Sequence, residues 1–198
     1  MPGVDEVARA VTGRLSPERA AHVARVATTA TELARRHGMD AECAALAGWL
    51  HDWCREVPGP ELVRLSREHG VAPAQGQALI VSALHGPLAA RLLPQTWPDL
   101  PAVVLQAIDR HTTGDAGMTD LDCLIYVSDA IEPGRSYPGV DRLRALAAED
   151  LRGATRGVME AGLADLLRRG KPIDTRSVRA WNDLVVQQRS ADREANRV

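Results

Sequence analysis

The chain contains no phenylalanine, only two tyrosines and only one lysine, Lys171, in its 198 residues. Surfaces that grip single-stranded nucleic acid stack bases on aromatic rings, and this chain has few rings to offer. Its 24 basic residues, nearly all arginine, face 26 acidic ones, for a formal net charge of -2. No global basic field exists to recruit nucleic acid or an anionic membrane. Cysteine is scarce too: Cys43, Cys54 and Cys123 are odd in number and lack C-x-x-C spacing, so reduced, packed thiols are expected. No apolar run approaches the ~18 residues that would suggest a membrane span. The first residues, MPGVDEVARA, carry acids where a signal peptide carries positive charge. A cytoplasmic protein, with no nucleic-acid or membrane partner, is the expectation.

Hydrophobic residues at 45% and charged residues at 25% are ordinary for a globular chain. The length suffices to bury a core without disulfide or metal staples. A single domain over 1–188 with a frayed tail over 189–198 is expected.

Helical periodicity dominates, and the fold class read from it is all-α. Ser16-Pro17-Glu18 is a helix start, with a capping hydroxyl, a proline whose missing donor costs nothing, and an acid in the first turn. That helix should stop at Gly38. Asp40 caps a second helix reaching about Cys54, and Pro58-Gly59-Pro60 precedes a third ending near His69-Gly70. Further helices are expected over about 75–85, 87–93, 99–111, 118–131, 138–148, 150–169 and 175–190. The apolar stripe Val178, Trp181, Leu184 and Val185 suits either the core or a homodimer interface.

Six histidines occur. His37 and His69 each precede a glycine, as helix-terminal residues that complement the dipole do. The other four fall on apolar faces. His51 continues the stripe Cys43, Leu46, Ala47, Leu50; His85 continues Ala78, Val81, Ser82; His111 continues Val104, Ala107, Ile108. Asp129 continues Leu121, Leu124, Ile125, Ser128, and His22 edges the stripe Val26, Ala30, Leu33. An unpaired buried carboxylate is costly. Neutral imidazoles and carboxylates converging on one interior are the donor set of a divalent metal.

The ordered set H…HD…D, formed by His22, His51-Asp52 and Asp129, resembles the HD superfamily of metal-dependent phosphohydrolases. Longer strings are more specific: Leu84-His85-Gly86-Pro87, His111-Thr112-Thr113-Gly114, and Asp129-Ala130-Ile131-Glu132-Pro133-Gly134-Arg135. In that order they are similar to the YqeK family, bacterial HD-domain hydrolases that split diadenosine tetraphosphate symmetrically. The resemblance runs from about Leu15 to Asn182 and implies a helical bundle around a central metal site. It implies metal ligands His22, His51, Asp52 and Asp129, with iron the associated metal and manganese or cobalt as alternatives. It implies nucleotide contacts from Arg19, His85, His111, the stretch Asp129 to Arg135, and the segment Gly170 to Arg176. Arg55 stands where the family has a basic residue after HD. The chain departs from the family's pattern at Ala20, where an aromatic is usual, and at Ile173-Asp174-Thr175-Arg176-Ser177, where I-H-P-x-T is common.

Cleaving a polyphosphate needs a strong nucleophile at neutral pH and cations for a crowded anion. A metal lowers the pKa of bound water towards about 7. Asp52 could ligate it and orient the water. His85 and His111 would be catalytic by contacting phosphate oxygens, or would hold a second metal. Arg19, Arg55, Arg135 and Arg176 offer planar forks for phosphate, and Thr112 a hydroxyl. Glu132 could hold a ligating histidine from behind, and Trp53 could line a base pocket. Three functions fit: a symmetrical dinucleoside tetraphosphate hydrolase giving two ADP, an HD-type nucleotidase or nucleoside triphosphatase of other specificity, and a non-catalytic nucleotide-binding regulatory protein. The intact ligand set argues against the last.

Overall fold

A computed structural model of the protein describes residues 1–71 and 80–195. Among them are ten α-helices and no strand. These are α1 (Val4–Arg14), α2 (Pro17–Arg36), α3 (Ala41–Leu50), α4 (Gly59–Glu68), α5 (His85–Thr96), α6 (Ala102–Arg110), α7 (Asp120–Ile131), α8 (Val140–Glu149), α9 (Leu151–Arg168) and α10 (Thr175–Ala195). None is long and apolar enough to cross a membrane.

The starts follow local chemistry. Ser16 accepts the backbone N–H of Arg19 at the head of α2, and Asp40 accepts those of Glu42 and Cys43 at the head of α3. Thr119 and Asp122 form a reciprocal capping box on α7. His37 and His69 occupy the C-terminal cap positions of α2 and α4, as expected.

Helix α3 is apolar on all sides and accordingly lies in the middle, packed against α1, α2, α6 and α7. Helices α2, α3, α6 and α7 make the central group; α5 covers α6, and α9 bridges α7, α8 and α10. Leu46, Leu50, Leu88, Ile108, Leu124 and Ile125 are fully buried between them. Alanines at 20, 27, 30, 34, 44 and 47 let these helices approach closely.

Four differences separate the structure from the sequence reading. Helix α1 was not foreseen; it buries Val7 and Val11 against α2 and α3. Helix α3 ends at Leu50 rather than near Cys54, because the following turns tighten to i→i+3 bonds, Trp53 N–H to Leu50 and Arg55 N–H to Asp52. Of the helix expected over about 75–85, residues 75–79 lie outside the described residues. Its described end is a single 3-10 turn, Val81–Ala83, and His85 begins α5 instead of closing a helix. Pro87 sits in the first turn of α5, where it is tolerated, so that helix starts before the proline. Helix α10 runs past the expected 190 to Ala195; of its apolar stripe, Leu184 is buried and Val178 exposed.

Candidate active site

Five elements converge. His22 comes from the middle of α2, His51 and Asp52 from the turn ending α3, His85 from the first residue of α5, His111 from the end of α6, and Asp129 from α7. The four histidines and Asp52 are buried. The tightened turn after α3 lets both His51 and Asp52 face the cluster. Helices α5 and α6 meet at Gly86, where a Cβ would lie 2.6 Å from the carbonyl oxygen of Ile108 and 3.0 Å from the His111 ring. That close approach brings His85 and His111 together.

Each imidazole is oriented by its outer nitrogen. Nδ1 of His51 lies 2.7 Å from the Gly48 carbonyl, that of His85 2.7 Å from Ser82, and that of His111 2.8 Å from Ile108. Nδ1 of His22 lies 3.1 Å from Oε1 of Glu132. All four partners are acceptors, so Nδ1 carries the proton and Nε2 turns an open lone pair inward.

Those lone pairs meet acceptors. His22 Nε2 is 3.1 Å from Asp129 Oδ1 and 3.8 Å from Asp52 Oδ2; His51 Nε2 is 3.5 Å from the same Asp52 oxygen. Oδ1 of Asp52 faces the other way, 3.1 Å from His85 Nε2 and 3.9 Å from His111 Nε2. The last two nitrogens are 2.9 Å apart. His22 Nε2 and His51 Nε2 are buried without a hydrogen-bond partner. Facing lone pairs repel unless a cation lies between them, and imidazole nitrogen with carboxylate oxygen suits a divalent first-row metal. Ligand atoms of His22, His51 and Asp129 lie within 4.8 Å of one another, as do those of His51, Asp52 and His111. The residues present therefore fit a metal, with each histidine anchored as metal-bound histidines are.

The electrostatics agree. Burial opposes ionisation of Asp52, but His51, His85 and His111 outweigh it and hold the carboxyl well below the usual range. Burial likewise opposes ionisation of Asp129; His22, His51, His111 and Arg135 prevail. Burial, then His85 and His51, push His111 down to about 3, leaving it neutral at physiological pH.

The expected residues divide. Arg19 reaches Asp52 Oδ2 at 3.0 Å, and Arg135 grips Asp129 at 2.6 Å through Oδ1 and at 2.9 Å through its carbonyl. The Thr112 hydroxyl lies 3.0 Å from His111 Nε2. Glu132 is buried behind His22, with its carboxylate on the His22 ring and not on the cavity wall where a nucleotide contact was expected. Arg55 is exposed and makes no hydrogen bond or ion pair with the cluster among the described residues. Arg176 clasps Asp109, and its Nε lies 3.3 Å from Asp115; it lines a different cavity with Arg91 and Arg110. Trp53 is turned away from the site. It packs edge-on against Trp97 under the Arg14 guanidinium, which sits 4.5 Å from the ring centroid.

A cavity of about 650 Å³ adjoins the cluster, lined by His111, Thr112, Asp129 and Arg135. Tyr126, Tyr137, Val158, Asp165 and Arg168 are among its other walls. Both tyrosines of the chain are here, and the sequence reading missed them. The available signal was their closeness to Asp129 and Arg135. Arg25, bonded to Glu132, was also missed.

An HD-domain family model matches residues 19–134, which include every proposed metal ligand. The chain is 33% identical over 181 residues to the bis(5'-nucleosyl)-tetraphosphatase, symmetrical, of Bacillus subtilis, covering 91% of this chain and 97% of that one. It is 35% identical over 147 residues to the protein of the same name from Staphylococcus aureus, covering 73% and 74%. The crystal structure of an HD superfamily hydrolase from Clostridium acetobutylicum superposes with a TM-score of 0.88 at 30% identity, over 94% of this chain and 99% of that one. The chain belongs to the HD-domain family and, within it, to the symmetrical bis(5'-nucleosyl)-tetraphosphatases.

Proposed function

We propose that this chain is a metal-dependent hydrolase that cleaves diadenosine tetraphosphate symmetrically to two ADP. The observation that carries this is the pair of overlapping ligand groups, His22–His51–Asp129 and His51–Asp52–His111, beside a nucleoside-sized cavity. His22, His51, Asp52 and Asp129 would hold the ion; iron is the metal the family resemblance implies, and manganese and cobalt accept the same donors. A divalent cation there lowers the pKa of bound water and offsets charge on the attacked phosphoryl group.

The chain's own residues do the rest. Asp52 turns Oδ1 towards His85 and His111, where it can orient the attacking water. Arg19 and Arg135 supply planar donors for the phosphate chain. Arg55, exposed three residues after Asp52, would serve the more distant phosphates, whereas Arg176 is held by Asp109 in another cavity. The Thr112 hydroxyl and His111 lie where phosphate oxygens enter. One nucleoside would rest among Tyr126, Tyr137 and Val158. A second cation on His85, His111 and Asp52 Oδ1 is favoured by one observation, the 2.9 Å approach of two inward lone pairs. Two ions per chain, falling to one in His85→Ala, would support it; one ion in both would rule it out.

The test is anion-exchange analysis of products after incubating the metal-loaded chain with diadenosine tetraphosphate, and separately with ADP, ATP and dNTPs. ADP as sole product from the dinucleotide is expected. AMP plus ATP would mean an asymmetric cut. Hydrolysis of a mononucleotide alone would point to a nucleotidase on the same site, and binding without turnover to a regulatory protein.

A further inference from the structure

Glu132 is almost fully buried, and its two oxygens receive more than the His22 ring. Arg25 donates through Nε to Oε2 at 2.5 Å and through its terminal nitrogen to Oε1 at 3.3 Å, and the Gly134 N–H reaches Oε2 at 2.6 Å. Arg25 stands three residues after His22, on the next turn of the same face of α2. Its guanidinium lies against Gly134. A Cβ at Gly134 would meet the terminal nitrogen of Arg25 at 2.6 Å and its Cζ at 2.9 Å. The φ of Gly134 is not in the left-handed region. A side chain at 134 would push the Arg25 guanidinium off its seat.

A glutamate side chain has three rotatable bonds, and one ring N–H does not fix its carboxylate plane. A guanidinium fork does, because its two donors are coplanar and rigid. We infer that Arg25, seated on Gly134, is a positioning residue: by locking the Glu132 carboxylate it sets the tautomer and rotation of the His22 ring and aims Nε2 at the metal position. This rests on His22 being a metal ligand, as proposed above. Arg25 is partly exposed but Glu132 is not, so the pair also keeps a buried carboxylate supplied with donors.

The experiment uses the full chain with Mn²⁺ alone as probe, comparing wild type with Arg25→Ala, Arg25→Lys and Gly134→Ala. Removing an outer partner of a ligating histidine typically weakens metal binding about 10–100-fold, and a loss in that range is expected in Arg25→Ala and Gly134→Ala. The Lys variant should fall between, since it keeps the charge and loses the fork. The two defects share one contact, so the double variant should bind no more weakly than either single one. In the metal-free protein, the ¹⁵N signals of the His22 ring should show mixed tautomers only in the variants, a readout that a loss of stability alone would not move. Mn²⁺ affinity within about twofold of wild type and an unaltered ring would overturn the inference, while loss of binding in His22→Ala would leave the metal reading intact. Absence of Mn²⁺ binding by the wild type would overturn both.

Discussion

Each imidazole in the cluster is defined by what its outer nitrogen donates to. Three donate to main-chain carbonyls three residues earlier, and His22 donates to Glu132. Replacing His51 or Asp129 by alanine removes an inward donor and leaves neighbouring lone pairs without a common partner. Bound metal should be lost and turnover should fall to background, which metal analysis and product chromatography would measure; retained metal would sink the assignment. Arg135→Ala should behave differently. It removes a charged donor at the cavity rim, where such hydrogen bonds are worth about 1.5–3 kcal/mol. Measured at saturating metal, KM should rise roughly 10–100-fold, and unaltered kinetics would refute the phosphate role. The ligand set was readable because buried titratable residues stand out on apolar stripes. Arg25 was not: in a chain with so many arginines, nothing local distinguishes one that faces a carboxylate 107 positions away.

At the scale of elements, α1 acts as a brace on the turn bearing His51 and Asp52. Arg14 covers the Trp53 ring and donates to its carbonyl, Glu6 accepts from Trp97, and Glu56 accepts from the Ser16 N–H at the head of α2. Arg14→Ala should cost about 1 kcal/mol, the scale of an exposed cation–π contact with one hydrogen bond. The same variant should lower kcat more than it raises KM, because Asp52 is adjacent; an unchanged kcat would show the turn to be held without α1. Asp122, fully buried, caps α7 and also accepts from Gln106 and Arg110 of α6. It thereby ties the helix carrying Asp129 to the one preceding His111. Thr119→Ala opens that cap and should cost about 1 kcal/mol in urea unfolding. The spacing of Val4, Val7 and Val11 marks α1 in the sequence, yet so short a stripe stands out only once Trp53 and Trp97 are seen to need cover.

Across the whole molecule, a core of leucine, valine and alanine does without phenylalanine by close helix packing. Leu124 is fully buried at the centre, and Leu124→Ala should cost about 2–5 kcal/mol by denaturant titration. The three cysteines belong to the same interior. Burial pushes each thiol up to about 11, with Asp40 adding to the rise at Cys43 and Arg14 and Thr155 partly opposing it at Cys54 and Cys123. The thiolate is the reactive form, so the native protein should react slowly with a disulfide reagent near pH 7. All three should react at once after unfolding; rapid labelling of the folded chain would contradict this packing.

Most helices after α1, the caps at Ser16 and Asp40 and the inward faces of His22, His51, His111 and Asp129 were legible in the chain alone, because capping chemistry and a 3.6-residue period act over a few neighbours. The tight turn that presents His51 with Asp52, the start of α5 at His85 and the turning of Trp53 away from the site arise from contacts between distant segments. So do the pairing of Arg25 with Glu132 and the cavity that gathers both tyrosines. Such contacts are selected by how helices pack over the whole interior, and no local spacing carries that information.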